Sequence, residues 1–434
     1  MAVPFMLTSL PRRILESMMK LLVFLFAAFF SFGAASVAAV PAEQPSRLMM
    51  VVVMSRHGVR SPTHPAELNA YAAQPWPAWP AEKSGYLTPR GAILMRQYGA
   101  YYRRNYGSQL GFTAGACPPS GAVFIWADVD ERTKATGSAI AQGFAPGCNI
   151  AVGHAPADPD TLFDPIPGVG TVDKTTSNDS ILGMVGGNFN GIVQAYGSTF
   201  ATVERVLGCT TPSRCSKSIA ATPTYITNDG DGGLASLNGG LDMAGDVGEN
   251  LLLEYVDGHP NVGWGRVDHA TILELMQLSV LGKQLEHNRY GARAHSSNIM
   301  AHILQTLQEG ATGKAVTGTR VPPEAKFVFL SGHDTQLAEF ASMFGLSWLV
   351  KGDVRNDAPP GSALIFEVRQ SGSGETFVRT YYAAQTLDAM RALHGENPQR
   401  VPLYIPGCPG YDCPMDTFTS VVNAAIDPSF VRDW

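Results

Sequence analysis

Arg56, His57, Gly58, Val59, Arg60 and Ser61 follow, after Ser55, on an apolar run at 48–54. Two guanidiniums flank one imidazole, with a glycine beside it. Arginine is permanently charged and can hold two phosphate oxygens at once. A neutral imidazole nitrogen can attack phosphorus and form a covalent intermediate. Gly58 is expected to remove the side chain that would crowd that attack. A second cluster, Ser331-Gly332-His333-Asp334-Thr335, ends another apolar run at 326–330. Its carboxyl group, with a reference pKa of about 3.9, would be raised by a bound phosphate and could protonate a departing alkoxide. A third cluster, Asp128 to Thr133, follows the run 122–127 and supplies Arg132.

These residue types specify phosphoryl transfer from a monoester. Arg56, Arg60 and Arg132 neutralise the dianion, with His333 as a further donor to its oxygens. His57 is the nucleophile, giving a phosphohistidine that water hydrolyses, and Asp334 is the proton donor. The surrounding arginines disfavour imidazolium, which keeps His57 usable in mildly acidic water. The scheme calls for no metal and no cofactor. Arg132 also has a structural alternative, a salt bridge to Asp130 or Glu131. On the residues alone His64, Asp246 and Glu249 read as surface or structural groups. His154, His259, His269, His295 and His302 share no ligand spacing and read as bystanders.

The elements that must position these groups are also legible. Continuous apolar runs imply strands covered on both faces, and open α/β sheets bind ligands beyond their C-terminal strand ends. Thr88-Pro89 offers a cap and a first-turn proline for a helix over 92–106, and 134–144 is helical in character. Strands at 363–368 and 377–382 form a hairpin across Ser371-Gly372-Ser373-Gly374. The stretch 145–262 is rich in Gly, Asn, Asp and Thr, with helices expected at 190–206 and 241–255. It reads as a smaller, mostly helical domain inserted into an α/β domain made of 46–144 and 263–434. The segment 228–233 looks like a calcium loop, but Gly230 and Gly239 stand where ligands are required, so a turn is expected.

The 434 residues are 45% hydrophobic and 16% charged, which excludes a disordered chain. Arg12, Arg13 and Lys20 precede an apolar stretch at 21–32 and a small-residue patch at 33–39, the order of a secretory signal. Cleavage is expected near Ser36-Val37-Ala38, giving a signal peptide at 1–38 and a periplasmic or secreted protein. The competing reading is a retained anchor, because 21–40 carries no charge. Once the signal is removed no stable membrane association is expected. Six cysteines, all beyond the signal, suit an oxidising compartment. Their pairing is open, with sequence neighbours as the simplest choice, and the lack of a CxxC pair argues against a thiolate zinc site. A net charge of −6 without basic runs excludes a general nucleic-acid partner. The expected partner is a small phosphomonoester, and the chain is expected to be a monomer.

Taken together, the chain resembles the histidine acid phosphatases, and among them the bacterial periplasmic phytases. RHGVRSPT at 56–63 and GHDT at 332–335 carry the resemblance, with WPAWP at 76–80, LTPRG at 87–91, DVDERT at 128–133, GWGR at 263–266 and PPG at 359–361. It implies a phosphoglycerate-mutase-like α/β domain, with a central mixed sheet flanked by helices, plus a smaller helical domain, and phosphate between them. It implies the same roles for His57, Asp334, Arg56, Arg60, Arg132 and His333, and it places Thr63 and Glu249 near the substrate. It also implies disulfides Cys117–Cys148, Cys209–Cys215 and Cys408–Cys413. His64 stands where those phytases carry lysine, and Gln336 where they carry asparagine; a further long-range disulfide of theirs has no cysteines here. Phytate is the leading substrate implied, with a sugar-phosphate or broad acid phosphatase as the alternative. A mutase-like transferase and a phosphate-binding protein without turnover are the remaining rivals.

Overall fold

The structure, a computed structural model, describes residues 45–434 except 64–66, 82, 211–214 and 396. The expected signal peptide and His64 lie outside the described residues. In chain order the strands are β1 (Ser46–Arg56), β2 (Val123–Ala127), β3 (Val152–Gly153), β4 (Thr224–Thr227), β5 (Ser236–Gly239), β6 (Phe327–Gly332), β7 (Ala363–Ser371), β8 (Thr376–Ala384), β9 (Gln399–Leu403) and β10 (Asp412–Pro414). One sheet runs β10-β8-β7-β1-β6-β2-β3, with β9 also on β8, while β4 and β5 pair separately. β1 is parallel to β6 and antiparallel to β7, so the sheet is mixed.

The helices are α1 (Pro89–Tyr106), α2 (Glu131–Phe144), α3 (Lys174–Met184), α4 (Asn190–Ala195), α5 (Gly197–Leu207), α6 (Gly240–Val256), α7 (His269–Glu286), α8 (Arg289–Thr312), α9 (Asp334–Phe344), α10 (Leu387–Ala392) and α11 (Met415–Ala425). The period-two alternation of β1 decides which of them covers each face. Val51 and Val53 pack with Tyr98, Tyr102, Ile140 and Phe144 of α1 and α2. Met50, Val52 and Met54 pack with Ile299, Leu337, Phe340 and Phe418 of α8, α9 and α11. Each such buried side chain contributes roughly 1.5–3 kcal/mol. A third core joins α5, α6 and α7 through Val203, Leu251, Leu252, Ile272 and Met276. Among the described residues, no helix is long and apolar enough to cross a membrane.

This layering brings the three polar clusters together. Arg56 pairs with Gly332 and Ala127 with Ser331, so the C-terminal ends of β1, β6 and β2 lie side by side. Thr88 caps α1 as expected, its hydroxyl accepting from Gly91 N at 2.9 Å.

All six cysteines are paired, as Cys117–Cys148, Cys209–Cys215 and Cys408–Cys413, at sequence separations of 31, 6 and 5. Loop-closure entropy assigns the first about 3–4 kcal/mol and each of the others about 2 kcal/mol. Denaturant unfolding of the three double-serine variants should therefore rank Cys117→Ser/Cys148→Ser as the least stable.

Candidate active site

His57 leaves the end of β1 and is pinned on both sides by backbone. Its N–H donates to Gly332 O and its carbonyl accepts from Gly361 N, each at 2.9 Å. Nδ1 lies 2.8 Å from Gly58 O, and a carbonyl can only accept, so Nδ1 carries the proton. Nε2 keeps its lone pair. The ring is almost wholly buried. Burial first, then the charges of Arg132, Arg56 and Arg60, hold its pKa well below the ordinary imidazole range.

Gly58 serves a different purpose from the one expected. A Cβ there would lie 2.6 Å from Met95 Cγ and 3.1 Å from Leu87 Cδ1. The missing side chain lets the loop rest on α1; it does not clear a path to phosphorus. Gly91 does the same from the helix side, where a Cβ would meet Val59 O at 2.2 Å.

Three guanidiniums surround the ring. Arg56 donates through Nη1 to Ala358 O at 2.6 Å and through Nη2 to Glu249 Oε1. Arg60 donates to Ser61 O at 3.1 Å. Arg132, in the first turn of α2, pairs with Asp130 at 2.6 Å, the structural alternative the sequence offered. In all three the Nε–H is buried, with no hydrogen-bond partner among the described residues. Each such donor costs about 1–3 kcal/mol when left unsatisfied, and an oxyanion would supply the acceptors. Burial brings Arg60 down to about 10, so it remains cationic in acid. Thr63 borders the Arg132 end: a Cβ on Gly85 would lie 3.4 Å from Thr63 Cγ2 and 3.8 Å from Arg132 Nη1.

Asp334 is the first residue of α9. Its Oδ2 is bound by Lys283 Nζ and lies 3.8 Å from Arg56 Nη1. Burial alone would raise its pKa, but Arg56 and Lys283 outweigh burial and hold the carboxyl well below its usual range. Lys283 also lies 3.8 Å from Glu249 Oε2. Glu249, on α6, is buried and acts as counter-ion to Arg56, a contact that local sequence reading did not show. Arg56, Lys283, Asp334 and Glu249 thus form one group of alternating charge, with Arg56 and Glu249 buried and Lys283 partly exposed. Lys283 was missed in the sequence; its only signal is that α7 contains no other lysine or arginine.

His333 caps α9. Its N–H donates to Gln336 Oε1 at 2.9 Å, and Gln336 Nε2 donates to Phe163 O at 3.1 Å. The residue at 336 therefore locks the His-Asp turn to the chain before α3. His333 Nε2 lies 2.6 Å from Asp128 Oδ2, and its ring meets that of His57 at 5.6 Å, edge to face. Asp128 is a further site residue that sequence reading did not single out.

A cavity of about 390 Å³ adjoins these groups, lined by Arg132, His333, Asp128, Asp164, Asp231 and His295 among others. His295, read from sequence as a bystander, is buried on α8 with Nδ1 3.0 Å from Glu339 and Nε2 3.5 Å from Asp231. Burial opposes its charge, but Glu339 and Asp231 raise it to about 10. Glu339, despite burial, is lowered to about 2, chiefly by His295. The ligand atoms of Asp164, Asp231 and His295 are close enough to hold a cation, as are those of Asp128, Asp130 and His333. In the first group a metal would have to displace a proton from His295.

The pair fixes a pH window for stability. His295 contributes fully below about 6.5 and loses that contribution as pH rises through about 10. Glu339 contributes above about 4.5 and loses it as pH falls through about 2. Melting temperature against pH should show the advantage of the parent over His295→Asn shrinking steadily from pH 6.5 to 10.

Residues 47–188 match the sequence profile of the histidine phosphatase superfamily, branch 2. Over 414 residues, 89% of this chain and 94% of the other, the sequence is 33% identical to phytase AppA of Escherichia coli (strain K12). The chain belongs to the histidine phosphatase superfamily, branch 2. As a histidine phosphatase it is a phosphomonoester hydrolase. Other relatives align over similar lengths. Glucose-1-phosphatase of Providencia rettgeri is 26% identical over 93% of this chain and 98% of its own. The Hafnia alvei phytase in complex with tartrate superposes with a TM-score of 0.81 at 30% identity, covering 89% of this chain and 99% of that one.

Proposed function

We propose that this histidine phosphatase works in acid through a phosphorylated His57, with inositol phosphates, phytate first, as its substrates. One observation supports the chemistry above the others: a buried neutral imidazole with a free Nε2 stands among three arginines whose Nε–H groups have no partner among the described residues. The phosphoryl oxygens would satisfy Arg56, Arg60 and Arg132, with His333 as a further donor and Thr63 at the edge. Glu249 would hold Arg56 in place. His57 Nε2 attacks phosphorus, the ester P–O bond breaks, and Asp334 protonates the departing oxygen. Water then releases phosphate from the histidine. Because His57 stays neutral well below the ordinary imidazole range, the acid limb of activity lies lower than that of an exposed histidine.

Phytate as substrate rests on the phytase relatives. A second reading has its own observation: Asp128, Asp164, Asp231, Glu286 and Glu339 line the adjoining cavity, which suits a hydroxylated leaving group better than one bearing more phosphates. Phosphate release from phytate and from glucose 1-phosphate decides between them. A higher kcat/KM with phytate supports the first reading, and the reverse supports a sugar phosphatase. The same proposal places the mature chain in the periplasm or outside the cell, as a monomer, with 145–262 as an inserted helical lobe beside the phosphate site.

A further inference from the structure

Asp334 poses a chemical difficulty for the proposed mechanism. A proton donor must hold a proton when the ester bond breaks, yet in the free protein this carboxyl carries two cationic neighbours. Protonation becomes easier if one of them withdraws. Arg56 cannot, because Ala358 O and Glu249 fix both arms of a guanidinium that is 1% exposed. Lys283 can. Its ammonium ends a flexible stem, its side chain is 27% exposed, and its second carboxylate, on Glu249, stands off at 3.8 Å. It also lines a separate cavity of about 310 Å³ together with Asp334, Asp357 and Ala358, so there is room to swing.

We propose that Lys283 is a latch on the proton donor, holding Asp334 ionised until a phosphate dianion draws the ammonium away. The proposal rests on the assignment of Asp334 as donor. Substrate bound among Arg56, Arg60 and Arg132 brings two negative charges beside the carboxyl. Lys283 turns toward the phosphoryl oxygens, and Asp334 takes a proton from solvent. As the His57 Nε2–phosphorus bond forms, the ester P–O bond breaks with its electron pair on oxygen, and that proton passes to it. The carboxylate so formed recaptures Lys283. The enzyme thus arms its acid only when a dianion is present. Lys283 is accordingly a positioning residue, acting through Asp334.

The other charged and titratable groups facing Asp334 are Arg56, His57 and Arg60 at and just after the end of β1, Glu249 on α6, and Asp357, which lines the same cavity from the loop after α9. None has the freedom of Lys283, so one substitution isolates the latch. In Lys283→Met the basic limb of kcat/KM, which reports the free enzyme, should move up by about one pH unit or more, a tenfold or greater rise in proton affinity. The basic limb of kcat, which reports the complex, should move much less. Lys283→Arg should restore most of the parental limb. Limbs that stay in place, or that move by equal amounts, overturn the latch. If Lys283→Met does not fold, Lys283→Gln reads the same limbs with length and polarity kept. Asp334→Asn separates the two levels of the claim: if it hydrolyses sugar phosphates as the parent does, the donor assignment fails, whereas unmoved limbs with Asp334 required remove only the latch.

Discussion

His57→Ala is expected to lower kcat/KM for phosphomonoesters by at least about 10⁴-fold, the scale of losses when a covalent nucleophile is deleted from groups that act together. Folding should survive. Among the described residues the ring's one hydrogen bond is to its neighbour Gly58, and no other backbone contact of the loop depends on it. Activity loss should therefore appear without a matching fall in melting temperature. Arg56→Ala should behave differently, because it leaves Glu249 buried without its main counter-ion. Breaking a buried pair on one side costs about 3–5 kcal/mol. A His57→Ala protein that still released phosphate at the parental rate would remove the nucleophile from the account.

The second large effect belongs to Asp334→Ala. With esters of ordinary alcohols the loss should be about 10²–10⁴-fold, the usual worth of a positioned general acid. With 4-nitrophenyl phosphate it should be far smaller, since that leaving group departs without a proton. The contrast between the two esters is the diagnostic, measured on one protein preparation. Equal losses with both would mean that Asp334 shapes the site and donates no proton. KM should not rise, because the substitution removes a negative charge from beside the bound phosphate.

Much of this site was legible in the sequence because its parts are local. Arg56, His57 and Arg60 share one loop, His333 and Asp334 share one turn, and each cluster ends a strand that its own apolar run announces. The parallel pairing of β1 with β6 and of β6 with β2 then brings the clusters together. What sequence reading missed depends on contacts between distant segments. Lys283 and Asp334 are 51 residues apart, and His295 and Glu339 are 44 apart. No periodicity links such pairs; the packing of α7 and α8 beside α9 makes them. Glu249 read as a surface residue because a charge in a helix usually is one, yet α6 is buried on nearly every side. Strands β9 and β10 carry Pro402 and Pro414, which argue against a strand in the interior of a sheet and are tolerated at its border. The turn expected at 228–233 is there, joining β4, whose Thr, Tyr and Ile favour a strand only four residues long, to β5, whose Asn238 and Gly239 do not.

The covalent intermediate is the central claim, and trapping it is the most direct test. Enzyme mixed with ³²P-labelled substrate should be quenched in alkali during turnover, denatured, and digested for mass spectrometry. The account predicts label on the peptide containing His57, stable to base and lost in acid as a phosphorus–nitrogen bond requires, and none in His57→Ala. Rapid turnover by the parent with no protein-bound phosphate, or label on a different side chain, would contradict it.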